Sequence, residues 1–115
     1  MNAKEIADKL DKEFKNYFAS VGYDEKEIGE DTIAVLIDNG LGKFYREDID
    51  IKEVYNFVKK ELRGYSDVEV VLDESIESVI IYFNNVSEYS DRELVQTIQD
   101  LVYGANAKFD IKYNF

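Results

Sequence analysis

Cysteine and histidine are both absent from this 115-residue sequence, and each absence removes a body of chemistry. Without cysteine there are no disulfides, no thiolate metal ligands and no thiol nucleophile. Without histidine, the commonest general base and the commonest zinc ligand are missing together. Proline is absent as well, and there is neither an internal repeat nor a low-complexity tract. No apolar run approaches the roughly 18 residues that span a bilayer. The opening Met1-Asn2-Ala3-Lys4-Glu5 runs into an amphipathic pattern and lacks the apolar stretch of a secretory signal. The cytoplasm is therefore the expected compartment. Asn85-Val86-Ser87 matches a glycosylation acceptor, which without secretion reads as coincidence.

What is present is acid. The formal net charge is −11, and the apolar fraction of 45% is ordinary for a folded chain. A length of 115 residues suits one domain over 1–115, which buries roughly two-thirds of its unfolded surface. A strongly negative surface repels DNA, RNA and anionic membranes, and it speeds the capture of a basic partner. The excess of lysine over arginine, with abundant Ile, Asn and Tyr, suggests an AT-rich genome such as that of a low-GC bacterium or its phage.

Three helices are marked by period and caps. The first is expected from about Ala3 to Ser20, with Ile6, Leu10, Phe14 and Phe18 recurring every four residues, Asn2 as cap and Gly22 as stop. The second runs from Ile51 to Arg63, opened by Asp50 and closed by Gly64. The third opens on Ser90 with Glu93 three residues on, a capping box, and is expected to end at Gly104. Strands fill the intervals. Ile33–Ile37 and Val79–Phe83 are apolar on both faces, which suits central strands. Val68–Leu72 alternates in part, and Phe109–Phe115 alternates throughout, with lysines typical of a sheet edge.

This order predicts an α+β fold: a four- to five-stranded, mainly antiparallel sheet with three helices. The last six elements match a ferredoxin-like βαββαβ pattern, which leaves the N-terminal helix to cover the second sheet face. Two alternatives stay open. Asp38-Asn39-Gly40 is a hairpin signal that places an additional strand at Lys43–Arg46, whereas Thr32–Asn39 also reads as a short helix ending at Gly40.

Two constellations stand out. Between Gly64 and Ala107 lie Asp67, Glu69, Asp73, Glu74, Glu77, Glu88, Asp91, Glu93 and Asp100, against the single base Arg92. Asp24, Glu25, Glu27, Glu30 and Asp31 form a second dense stretch. Carboxylates in such an array satisfy the Arg and Lys side chains that phosphates would otherwise occupy. They equally suit helix first turns and solvated turns. The second constellation is tyrosine, with nine residues. Tyr23, Tyr45, Tyr65 and Tyr89 fall at element ends beside acids, where a ring buries area at low entropic cost.

Catalytic and metal signatures are weak. Gly40-Leu41-Gly42-Lys43 lacks the P-loop spacing, and no serine has a histidine to activate it. Asp73, Glu74 and Glu77 do not follow an EF-hand. A carboxylate pair could still act as acid and base, but only Asp, Glu, Lys, Tyr and Ser are available for catalysis. The expectation is therefore a non-catalytic binding protein with no cofactor and no metal. In size and charge alone it resembles phage-encoded anti-CRISPR and anti-restriction proteins. That resemblance implies an inhibitor occluding the basic surface of a nucleic-acid-processing enzyme. The candidate partner-binding residues are Asp67, Glu69, Asp73, Glu74 and Glu77 around the Val68–Phe83 hairpin, with Tyr65 and Tyr89 as aromatic anchors. An immunity protein or antitoxin shares the same acidity. A small structural or regulatory subunit, paired as a homodimer through its sheet, is the alternative of a different class.

Overall fold

The computed structural model describes residues 2–23, 31–39 and 48–112. In chain order these form α1 (Ala3–Glu13), β1 (Ala19–Gly22), β2 (Ile33–Asp38), α2 (Ile51–Glu61), β3 (Val68–Asp73), β4 (Ser78–Phe83), a 3-10 turn (Val86–Glu88) and α3 (Asp91–Phe109). The strands make one antiparallel sheet in the order β1-β2-β4-β3. The α+β class and the central positions of β2 and β4 agree with the sequence. The Thr32–Asn39 segment is a strand and not a helix, and the strand expected at Lys43–Arg46 lies outside the described residues.

Each helix begins where a side chain takes over an orphan amide. Asn2 accepts from the Glu5 N–H at 2.9 Å, Asp50 from the Lys52 N–H at 3.0 Å and Ser90 from the Glu93 N–H at 3.1 Å. The ends differ more from expectation. α1 stops at Glu13 rather than Ser20, because the backbone beyond it is drawn into the sheet. The Phe18 N–H donates to the Ile111 carbonyl at 2.7 Å, and the Phe18 carbonyl accepts from the Asp38 N–H at 2.9 Å. Phe18 and Val21 stay buried, so the same apolar residues serve an extended segment. Asp11 on α1 accepts the Val21 N–H at 3.0 Å and closes part of the β1 edge.

α3 runs through Gly104 to Phe109 and ends on Asp110 in the left-handed conformation, φ 55°. Its buried stripe of Ile98, Leu101, Val102 and Ala105 continues past the glycine. The C-terminal strand expected from Phe109 is therefore replaced by helix at its start. What remains among the described residues is one antiparallel bridge, Tyr17 to Lys112; residues 113–115 lie outside them. The edge place beside β2, which a ferredoxin-like order reserves for the last strand, belongs to β1.

The three helices form a single layer. α1, α3 and α2 lie side by side over β1 to β3, and their apolar stripes meet Ile33, Val35, Ile37, Val79, Ile81 and Phe83 in one core cluster. Ring contacts between the elements agree with this arrangement: Phe14, the C-cap of α1, stands edge-on to Tyr103 of α3 at 5.6 Å, and Phe57 of α2 to Phe109 of α3 at 5.7 Å. The expectation that α1 covers the second sheet face is thus overturned. Its Ile6–Ala7–Leu10 stripe is buried against the same core as α3, which satisfies it without a second layer.

Candidate interaction surface

The β3–β4 hairpin carries most of the candidate carboxylates, and its geometry separates them. At the tip, the Asp73 carboxylate accepts from the Ser75 N–H at 3.1 Å and the Ser75 hydroxyl at 2.5 Å. This Asx-type contact holds a turn that Glu77 completes with φ 51°. The Asn39 amide reaches Glu77 at 3.4 Å, and exposed Lys52 lies 3.6 Å from exposed Glu74. Ion pairs at such exposure contribute little to stability. The tip therefore sits beside the start of α2, with part of its charge answered.

Asp67 and the two tyrosines lie at the far end. Six strand steps at about 3.3 Å put Asp67 about 20 Å from Asp73 along β3. Glu69 stands between the two ends on the outer sheet face, exposed and directly opposite Tyr82. The seven candidates therefore form no single patch. Asp73, Glu74 and Glu77 are together, Tyr65, Asp67 and Tyr89 are together, and Glu69 belongs to the sheet between them.

The far end is built by a network that the hairpin alone does not supply. The Asn84 N–H donates to the Asp67 carbonyl at 2.9 Å, and the Asn85 amide, on a residue with φ 54°, donates to the Asp67 carboxylate at 3.1 Å. Across the sheet, the Asp31 carbonyl accepts the Val86 N–H at 3.1 Å. The Asp31 carboxylate accepts the Ser87 N–H at 3.0 Å and the Ser87 hydroxyl at 2.7 Å. Asp31 and Asp67 are thus oriented by neutral donors, which fix their direction and leave their charge in place. Thr32 adds a hydroxyl bond to Asn84 at 2.9 Å.

Around this network stand Tyr65, Tyr89, Glu88 and Glu93. The Tyr65 hydroxyl lies 3.4 Å from the Thr97 hydroxyl on α3. The Tyr89 hydroxyl is pushed above the ordinary tyrosine range, first by burial and then by the negative field of Asp67, Tyr65, Glu93 and Glu88. Every one of these contributions favours the neutral phenol. Beside it opens a cleft of about 400 Å³ lined by Asn2, Tyr23, Asp31, Ser87, Tyr89 and Asp91. Asp31, Glu88 and Glu93 belong to this surface although the hairpin-centred reading did not choose them. Their acidity was visible in the sequence; their convergence depends on β2 pairing with β4.

Among the described residues no group of three or more His, Cys, Asp or Glu side chains is placed to hold a metal ion. No helix among them is long and apolar enough to cross a membrane. No family model matches the chain, and neither a curated protein nor a solved structure matches it.

Proposed function

We propose that this chain is a non-catalytic, acidic binding protein that occludes a basic, nucleic-acid-binding surface of another protein. It acts in the cytoplasm without cofactor and without contacting nucleic acid itself, in the manner of the anti-CRISPR and anti-restriction proteins it resembles in size and charge. The observation that carries this reading is the convergence of Tyr65, Asp67 and Tyr89 with Glu88 and Glu93, which brings three carboxylates to bear on the Tyr89 hydroxyl. Aligned carboxylates accept Arg and Lys forks as phosphates do, and the tyrosine rings supply apolar area and a cation-attracting face. An immunity protein or antitoxin would use the same surface against a basic toxin.

The test is affinity capture from a nuclease-treated bacterial lysate, washed at low and then high salt and read by mass spectrometry. The wild-type chain is expected to retain a nucleic-acid-processing protein that high salt releases. A variant carrying Asp67→Lys and Glu88→Lys is expected to lose it. Equal recovery by both proteins, or recovery of the chain alone, would count against the reading.

A further inference from the structure

The strand pairings fix which main-chain groups of β3 face outward. One step beyond the Val68–Phe83 pair, Asp67 accepts the Asn84 N–H at 2.9 Å, so these two residues form a hydrogen-bonded pair. Bonded and non-bonded pairs alternate along an antiparallel ladder. Glu69, Val71 and Asp73 therefore turn their N–H and carbonyl groups toward β4, and Val68, Val70 and Leu72 turn theirs to the open side. The same alternation at the opposite edge, counted from the Asp38–Phe18 bond, sends the Val21 N–H outward, where the Asp11 carboxylate accepts it. β3 is the last strand on its own side. Among the described residues nothing bonds to the outward groups of Val68, Val70 and Leu72. The chain on either side of β3, from Leu62 to Glu77, belongs to those residues.

The usual guards of a sheet edge are missing here. β3 reads Val-Glu-Val-Val-Leu-Asp, with no lysine, no proline and no bulge in its one-to-one register. The lysines beside it belong to α2 and are engaged elsewhere. Phe57 of α2 packs against Phe109 of α3, so the opposite flank of the buried Val54–Val58 stripe overhangs β3. On that flank Lys59 lies over the Tyr55 ring at 5.3 Å, and Lys52 lies 3.6 Å from Glu74.

A second copy fits this edge poorly. In a two-fold antiparallel pair, outward residues oppose outward residues. Centring the pair on Val70 sets Asp67 opposite Asp73 of the other copy. Centring it on Glu69 sets that residue opposite Glu69 of the other copy, and centring it on Val71 sets Glu69 opposite Asp73. Each register opposes like charges directly, which destabilises a ladder, and each chain brings a net charge of −11. The open amides and carbonyls recur every second residue, a spacing that only another extended chain matches. Glu69 and Asp73, on the side of the strand away from the helices, select Lys or Arg in that chain.

We propose that the free edge of β3 takes up an extended, basic segment of a partner protein as an added strand. Its main chain bonds to Val68, Val70 and Leu72. Its side chains alternate between Lys or Arg, which answer Glu69 and Asp73, and apolar residues, which lie toward the Tyr55 ring. This rests on the proposed binding function only in taking the partner to be a basic protein; the surface is a different one from the tyrosine–carboxylate end.

The probe is a peptide of about six residues, alternating valine and lysine, titrated into the isotopically labelled chain and followed by amide hydrogen exchange. In the free chain the Val68, Val70 and Leu72 amides are expected to exchange about tenfold or more faster than those of Glu69 and Val71. The peptide is expected to slow the first set and leave the second unchanged. A valine–glutamate peptide is expected to change neither. Methylating every second peptide amide gives two further probes. Methyl groups on the bonding edge are expected to weaken binding about tenfold or more, and those on the other edge about twofold at most. Glu69→Lys, an exposed change, is expected to weaken binding several-fold. Glu88→Lys is expected to leave it within about twofold, so failure of the lysate capture and failure of strand addition are told apart. Protection of Val68, Val70 and Leu72 in the free chain would overturn the proposal. So would unslowed exchange with the lysine peptide, equal binding of the glutamate peptide, or equal binding of the two methylated peptides.

Discussion

The hydroxyl of Tyr103 on α3 donates a hydrogen bond to the carboxylate of Glu13, the last residue of α1. The Gln99 amide contacts both oxygens of the same carboxylate at 3.0 Å, and the Tyr17 ring lies 5.6 Å from that of Tyr103. This contact ties two helices that are far apart in the chain, at the point where α1 gives way to the sheet. The hydrogen bond to Glu13, then burial, raises the Tyr103 hydroxyl to about 12, against about 10 for a free tyrosine.

Because the folded state holds this phenolic proton more tightly than the unfolded chain, its contribution to stability is complete below about pH 10. It is lost as pH rises through about 12. Tyr103→Phe should cost about 1 kcal/mol at neutral pH, toward the low end because the pair is exposed. The variant should also lose less stability than the wild type between pH 10 and 12. Denaturant unfolding at stepped pH, with absorbance titration of the tyrosinates, checks both.

The pairing of Tyr89 with Asp67 gives a second titration. Asp67→Asn removes the largest of the charges that raise the Tyr89 hydroxyl, but burial, the leading cause, remains. Tyr89 should therefore ionise at lower pH in the variant and still above an ordinary tyrosine. Ring-carbon shifts of labelled tyrosine report this directly. An unmoved Tyr89 would place Asp67 outside its field.

Gly104 lies inside α3, where an added methyl group would meet the Phe57 ring at 3.4 Å, an ordinary contact. The backbone there is helical, so alanine relieves the entropic cost of glycine. Gly104→Ala should stabilise the fold by up to about 1 kcal/mol, read as a higher denaturant midpoint with unchanged slope. A fall in the midpoint would mean that Phe57 has no room to yield.

Ser90 caps α3 through the Glu93 N–H. Ser90→Ala should cost about 1 kcal/mol, and Ser90→Asp should recover most of it. The measurement is again the unfolding midpoint, with recovery by aspartate separating the cap from a packing defect.

Helix starts were legible because a cap is a local event. Asn2, Asp50 and Ser90 each accept an amide two or three residues ahead, and no distant residue is needed. Helix ends were less so. The stripe from Ile6 to Phe18 keeps helical spacing past Glu13, yet the Phe18 backbone bonds to Ile111 and Asp38, partners that periodicity cannot register. The reverse holds at Gly104, where buried packing on both sides outweighs a residue that commonly stops helices.

The candidate surface divided in the same way. The acids and tyrosines were plain in composition, and the grouping of Asp73, Glu74 and Glu77 followed from their place in one hairpin turn. Separating them from Asp67 required only the length of β3. Joining Asp67 to Glu88 and Glu93, and bringing Asp31 against Ser87, required the β2–β4 and β3–β4 pairings and the return of the chain through the 3-10 turn into α3.

By itself, then, the sequence determined the class of fold, the helix caps, the central strands and the sign of the surface, because each depends on neighbours in the chain or on summed charge. The strand order and the single helix layer were decided only in three dimensions. They depend on which segment supplies the hydrogen-bond partners of the β2 edge, and that segment is β1. Once α1 shares the core of α3, no helix among the described residues is left for the other side of the sheet.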